Sequence, residues 1–296
     1  MRGALARLIL QLAALLPLPV VQSLGAGLGL IAYLVPNELR AATLDNLRLC
    51  FADMPDRERK RMARRSLQEL GKTLLEMGPL WIRDPGRISQ LVRKTHGLEH
   101  VDAAMARGEG LVLIGPHLGN WELVGLEAAR LRDRQLTSMY RPLRESALED
   151  LVRRSRERTG ARLVTATATG VKELYQALNR NEMVGILPDQ RPKEATAGVM
   201  APFFDVPCPT GTLIPRLLRK SGAAALFVFG KRLPRGSGFE LHLIPPPEGL
   251  TDPDPTVAAR ALNAGIEACI AICPEQYLWS YRRFTRAIYR ELHEPH

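Results

Sequence analysis

His117 and Glu122 stand five positions apart in the stretch Gly110-Leu-Val-Leu-Ile-Gly-Pro-His-Leu-Gly-Asn-Trp-Glu122. An imidazole held against a carboxylate is a general base. The carboxylate fixes the tautomer of one ring nitrogen, raises the basicity of the other and stabilises the imidazolium once a proton is taken. The chemistry on offer is deprotonation of a hydroxyl. The spacing sets a condition on it. Neighbours on one helix face are three or four residues apart, so this pair meets only if the histidine lies in a turn and folds back over the first helical turn. A bare pair at this spacing more often pairs a turn histidine with a surface glutamate, so the flanking residues have to decide.

Those residues supply the turn. Leu111 to Ile114 is an apolar run with glycine on both sides, which reads as a strand covered on both faces. Pro116 and Gly119 are turn residues, and a helix is expected from Asn120 to about Leu131 with Asn120 as its N-cap. The histidine then sits at the carboxyl end of a strand, where open α/β sheets hold ligands. Two later segments repeat the pattern. Leu136–Tyr140 runs into Arg141, which could hold a phosphate through charge-assisted bonds or pair with Glu145 or Glu149. Met183–Leu187 runs into Pro188-Asp189-Gln190-Arg191. There Arg191 and Lys193 add positive charge, and Asp189 could orient Arg141 or Arg191, or serve as a turn aspartate.

From Gly97 onward, strand-like and helix-like segments alternate. The strands are 111–114, 136–140, 162–165, 183–187, 224–229 and 239–244; the helices are 101–107, 120–131, 146–158, 170–178, 212–220 and 255–273. This predicts an α/β domain with a mixed, mostly parallel sheet flanked by helices. Ahead of it, 36–50 and 55–81 read as helices, the second basic at its start (Arg57, Arg59, Lys60, Arg61, Arg64, Arg65) and apolar later. A basic amphipathic helix next to an apolar segment reads as a membrane-surface element.

That apolar segment is the N-terminus. Leu8 to Val35 holds no charged residue, follows Arg2 and Arg7, and is interrupted by Pro17 and Pro19. It is long enough for a kinked membrane-embedded or spanning helix; a helical hairpin in one leaflet and a cleaved signal peptide are the other readings. Gly25 and Gly29 are four apart and could let a second helix approach closely. The expected organisation is an anchor at 1–36 and a catalytic domain at 37–296, helical over 37–95 and α/β over 96–296.

The totals agree with an anionic partner. The net charge is +10 and the pI is near 9.8, which fits an acidic membrane surface, nucleic acid or an acidic protein. Aromatic content of only 5% and the lack of a nucleic-acid motif argue against nucleic acid. The four cysteines, Cys50, Cys208, Cys269 and Cys273, form no disulfide or zinc framework and read as buried reduced thiols of a cytosolic compartment. His96 and His100 are four apart with Gly97 between them and no third ligand in sequence. Gly236-Ser-Gly238 lacks the spacing of a nucleophile elbow, and there is neither a phosphate-binding Gly-x4-Gly-Lys loop nor a His-Glu-x-x-His. No metal and no cofactor are expected.

Gly97-Leu-Glu-His100, the helix ending at Gly108-Glu-Gly110, the apolar strand and His117-Leu-Gly-Asn-Trp-Glu122 resemble the lipid A late acyltransferases. These are lauroyl and myristoyl transferases within the glycerolipid acyltransferase superfamily, and the resemblance spans nearly the whole chain. It implies His117 and Glu122 as the catalytic pair, with Asn120, Arg141, Asp189, Gln190 and Arg191 binding substrate. It also implies an acyl chain arriving on acyl carrier protein, a phosphorylated lipid A precursor as acceptor, contact with inner-membrane lipid and a catalytic domain on the cytoplasmic side. Phe203 and Phe204, in the block Phe203-Phe-Asp-Val-Pro-Cys-Pro-Thr-Gly211, become candidates for lining an acyl tunnel, with core packing the plainer role. The family usually follows Asp-Gln with an acid and a glycine; Arg191-Pro192 stand there instead. A lysophospholipid, aminolipid or other glycolipid acceptor therefore stays open, and an adaptor that kept the fold without the chemistry is the reading from outside the enzyme class.

Overall fold

The computed structural model describes residues 2–142, 146–192 and 194–294; Glu145 and Lys193, both weighed above, lie outside them. Proline divides the apolar N-terminus. α1 (Arg2–Leu15) stops before Pro17, and α2 (Leu18–Leu34) carries Pro19 in its first turn, where a missing N–H breaks no helical bond. Among the described residues no single helix is long and apolar enough to cross a membrane, and the one pair that qualifies together, α2 with α3 (Glu38–Cys50), is bent by 81°. The expected kinked span is thus replaced by two separate helices.

Both lie on α4 (Asp56–Ile82). The glycines explain how closely. A β-carbon on Gly25 would stand 2.6 Å from the Gly71 carbonyl oxygen, and one on Gly29 would meet the backbone of Leu67. The second helix anticipated for this pair is therefore α4, whose own Gly71 completes the contact. The outward faces of α1 and α2 leave Leu5, Leu8, Leu12, Leu15, Leu24, Leu28 and Ile31 exposed.

After the short α5 (Pro85–Ser89) comes the sheet. Its strands are β1 (Val92–His96), β2 (Leu111–Ile114), β3 (Leu136–Tyr140), β4 (Arg162–Thr165), β5 (Met183–Ile186), β8 (Ala224–Arg232) and β9 (Phe239–Ile244), in the order β1-β9-β8-β2-β5-β3-β4. All neighbours are parallel except β8 and β9. Hence β1 and β9 run against the other five. One face packs Val112, Ile114, Val184, Ile186, Phe227 and Phe229 against α9 (Ala168–Asn179), α10 (Leu213–Ser221) and α11 (Pro255–Ile272). The other packs Leu111, Leu113, Leu226 and Val228 against α6 (Leu98–Ala106) and α7 (Trp121–Ala128). β2 is buried at every position, as its apolar run requires. α8 (Ser146–Glu157) lies against α1 and α4, and α12 (Arg286–Glu291) ends the fold.

Two elements differ from expectation. β1 was not anticipated. The block around Phe203 is not a single apolar segment but a two-stranded antiparallel ribbon, β6 (Gly198–Phe203) with β7 (Val206–Gly211). Phe203 is fully buried in the main core, and Phe204 packs on Phe51 and Trp279. The two phenylalanines belong to the core rather than to a tunnel.

Candidate active site

β2 and β5 are parallel neighbours with Leu111 opposite Met183 and Ile114 opposite Ile186. Three residues past the ends of those strands come His117 and Asp189. The register that aligns the strands therefore brings the two side chains together beyond the carboxyl edge of the sheet. His117 Nδ1 lies 2.6 Å from Asp189 Oδ1, and the His117 backbone N–H donates to Asp189 Oδ2 at 2.7 Å. Asp189 is 3% exposed. Burial works to raise its pKa, but the charge of His117 and the two hydrogen bonds from it, with Arg283 further off, bring the net value below the ordinary carboxylate value. An ionised Asp189 accepts a hydrogen bond from Nδ1–H, which leaves the unprotonated Nε2 facing the cleft.

Glu122 does not take that position. It sits in the first turn of α7, and its oxygens accept from Arg156 Nη2 at 2.6 Å, Arg156 Nε at 3.2 Å and Trp81 Nε1 at 3.0 Å. Burial pushes the Glu122 pKa up, and Arg156, then Trp81 and His117, outweigh it, so the carboxyl is held below its ordinary value. The expectation that Glu122 orients His117 is corrected to Asp189. The physical reason is direction: α7 points its first turn at α4 and α8, while the histidine turn leans toward the end of β5. Asp189 correspondingly orients the imidazole, not Arg141 or Arg191.

Asn120 caps α7 as expected, accepting from Leu123 N at 3.0 Å. Its side-chain amide donates to Glu76 Oε2 at 2.7 Å and the residue is wholly buried. It positions the turn and has no face toward a substrate. Glu76 belongs to a buried network: Arg232 binds both of its oxygens, at 2.7 and 2.6 Å, and also Glu69 Oε2 at 2.6 Å and Thr73 Oγ1 at 2.7 Å. Gly119, at φ +61° and close against the Gly230 carbonyl, is a position only glycine fills without strain.

Each backbone N–H of the turn is already engaged. His117 N donates to Asp189, Leu118 N to the Pro116 carbonyl, Gly119 N to the Gln276 carbonyl and Asn120 N to the Gly230 carbonyl. These amides are thus committed to holding the turn, and none is free to hold a negatively charged oxygen. A side-chain donor stands close by: Gln190, whose Nε2 is 3.5 Å from His117 Nε2.

His117 opens onto a cleft of about 430 Å³ lined by Trp121, Glu122, Tyr140, Arg141, Arg156, Gln190 and Arg191, among others. Arg141, Glu122 and Arg156 also border a second, mainly apolar groove of about 430 Å³ whose other walls include Ile9, Leu10, Leu74, Leu75 and Met77 of α1 and α4. Cations and an apolar slot therefore meet at the base. The sequence matches the family described as bacterial lipid A biosynthesis acyltransferase over residues 4–286. The chain belongs to that family. It is 30% identical to the lipid A biosynthesis lauroyltransferase of Escherichia coli (strain K12) over 279 residues, 93% of this chain and 89% of the relative. It is 31% identical to the palmitoleoyltransferase of the same strain, with 95% and 90% covered, and 25% identical to its myristoyltransferase, with 86% and 77% covered.

In this acyltransferase, then, the structure groups His117, Glu122, Arg141, Gln190 and Arg191 around one cleft and places Asp189 behind the histidine and Asn120 beneath the turn. Sequence reasoning missed Arg156, Trp81, Glu76 and Arg232. Arg156 lies in a run of similar residues, Arg153-Arg-Ser-Arg156, with nothing to mark it out. Glu76 lies on the apolar half of α4, and a carboxylate at a position that becomes fully buried was the available signal.

Proposed function

We propose that this chain transfers a fatty acyl group to a hydroxyl of a lipid A precursor as a late, secondary acylation, with acyl carrier protein as the thioester donor. The His117–Asp189 pair at the mouth of a cation-lined cleft carries the reading. His117 Nε2 removes the acceptor's hydroxyl proton as the oxygen attacks the thioester carbonyl carbon. Asp189 stabilises the imidazolium that forms. The C–S bond then breaks, and the imidazolium returns its proton to the leaving thiolate. No covalent enzyme intermediate is needed. Since the turn amides are committed, negative charge on the tetrahedral oxygen falls to side-chain donors, Gln190 first and Arg141 next.

Arg141 and Arg191 suit the phosphates of the acceptor. The apolar groove beside them suits its acyl chains. Residues 1–36 act as a membrane-apposed unit in this reading: the exposed leucines of α1 and α2 rest in the lipid, and Arg57, Lys60, Arg61, Arg64 and Arg65, of which all five are exposed, face anionic headgroups. The location that follows is the cytoplasmic side of the inner membrane.

Mass spectrometry of lipid A from the source strain with and without the gene tests the proposal. Loss of one secondarily acylated species, restored by wild type and not by His117→Ala, supports it. Unchanged lipid A with an altered phospholipid or aminolipid profile moves the acceptor. No change in any lipid overturns the activity.

A further inference from the structure

We propose that a single turn near the C-terminus, Leu278–Tyr281, clasps the base and a cleft cation at a fixed separation, with Tyr281 as the positioning residue for Arg191. The inference rests on the acyl-transfer reading above and adds to it a determinant of acceptor binding.

The chain comes back to the site from its far end. After α11, the segment from Gln276 to Tyr281 runs over the turn that follows β2. The Gln276 carbonyl accepts from Gly119 N at 3.0 Å, and Leu278 N donates to the His117 carbonyl, also at 3.0 Å. Further along, the Tyr281 hydroxyl accepts from Arg191 N at 3.0 Å. Between these contacts the chain closes on itself: Tyr281 N donates to the Leu278 carbonyl at 3.2 Å, as in a β-turn. One tight turn thus holds the His117 loop at its first residue and the Arg191 loop at its last. β2 and β5 set where those loops begin. The clasp sets how far apart they end.

The clasp is itself held. Asn46 of α3 is 3% exposed. Its Nδ2 donates to the Trp279 carbonyl at 2.6 Å and to the Tyr281 carbonyl at 2.7 Å, and its Oδ1 accepts from the Tyr289 hydroxyl at 2.5 Å. The Trp279 ring is buried against Phe51 and Phe204. The turn cannot drift without breaking these bonds or withdrawing an indole from the core.

Arg191 is the part that needs holding. It is exposed on the cleft wall, and among the described residues no carboxylate pairs with its guanidinium. Its charge is free to meet an anion, and the phosphorylated acceptor supplies one. A long side chain loses less freedom on binding when its backbone is already fixed. The Tyr281 hydroxyl does that fixing, and phenylalanine would keep the ring while losing the acceptor of the bond.

The test is a double-mutant cycle on steady-state transfer from acyl carrier protein thioester, at saturating donor, to the phosphorylated lipid A precursor in detergent. Wild type, Tyr281→Phe, Arg191→Met and the double variant are compared. We expect Tyr281→Phe to raise the acceptor KM about fivefold, the effect of one neutral hydrogen bond, with kcat and the melting temperature little changed. In the Arg191→Met background the same substitution should move KM by less than about twofold, because a residue acting through Arg191 has nothing left to position. A tyrosine with only a structural role would act alike in both backgrounds. An unchanged KM in Tyr281→Phe, or an equal rise in both backgrounds, overturns the clasp and leaves acyl transfer standing. A wild-type chain that transfers nothing to this acceptor overturns the function beneath it and the role of the clasp together.

Discussion

His117 and Asp189 are joined twice, ring to carboxylate and backbone to carboxylate, at 2.6 and 2.7 Å. The two hydrogen bonds fix where the imidazole stands and which nitrogen carries its proton. Asp189→Asn keeps the shape but can present an N–H to Nδ1, favouring the wrong tautomer. We expect kcat to fall by about 10²–10⁴-fold with KM little changed. Steady-state acyl transfer with purified variants checks it; near wild-type turnover would remove Asp189 from the mechanism.

Glu122 should behave differently. Its loss leaves the largely buried Arg156 without its carboxylate, and breaking such a pair costs about 3 kcal/mol. Glu122→Gln is therefore expected to lower the denaturation midpoint, and adding Arg156→Met should recover part of the loss. A rate defect as deep as that of Asp189→Asn, with an unchanged midpoint, would instead return Glu122 to the role of the histidine's partner.

The same two carboxyls set the acid response. Each has a native pKa below its ordinary value, 3.8 for Asp189 and 4.5 for Glu122. As pH falls the unfolded chain takes up protons first, so the stability they contribute is complete above that range and is lost as pH drops through it toward the native values. Urea midpoints should hold from neutral pH to about 5 and decline below it. Glu122→Gln should flatten part of that decline; an identical curve would assign the acid response elsewhere.

The sheet was largely legible because its central strand Leu111–Ile114 is a short apolar run bounded by turn residues, while Phe239–Ile244 alternates apolar and polar residues along its length. β1 was not, since Val92-Arg-Lys-Thr-His96 is a half-exposed edge strand whose polar residues carry no apolar signal. The β6–β7 ribbon was hidden by its prolines, which ordinarily argue against a strand. Pro207 and Pro209 fall at alternate positions, with Pro207 opposite Pro202, so all three can occupy pairs that exchange no ladder bond. At the site, His117 was legible from its own turn. Its partner was legible only through register, because nothing local in Pro188-Asp-Gln190 says which neighbour the aspartate faces.

The glycine contact between α2 and α4 gives a prediction with no catalytic content. Gly29→Ala adds a β-carbon where the Leu67 backbone already stands. Helix propensity favours alanine by about 1 kcal/mol, yet the clash should outweigh it and destabilise by about 1–3 kcal/mol net. Gly27→Ala, which meets nothing within 4 Å, is the control and should be neutral or stabilising. Thermal melts of both in one detergent decide; equal shifts would mean the helices part freely.

All four cysteines are free and buried. Burial raises each thiol, with Cys269 and Cys273 pushed up to about 12. The native chain should resist alkylation at pH 8 and take up label only on unfolding. Rapid labelling of the native chain would contradict this packing.

α4 touches the signature turn three times along its length: Thr73 donates to the Gly119 carbonyl, Glu76 accepts from Asn120 and Trp81 donates to Glu122. Its opposite side is the seat of α1 and α2. The His117 turn thus has one foundation in common with the two N-terminal helices. A polypeptide cut back to the sheet would keep the strands that carry His117 and Asp189 but lose the helix that braces the turn after the histidine. Docking of the first two helices and bracing of the His117 turn are therefore coupled through one helix, α4.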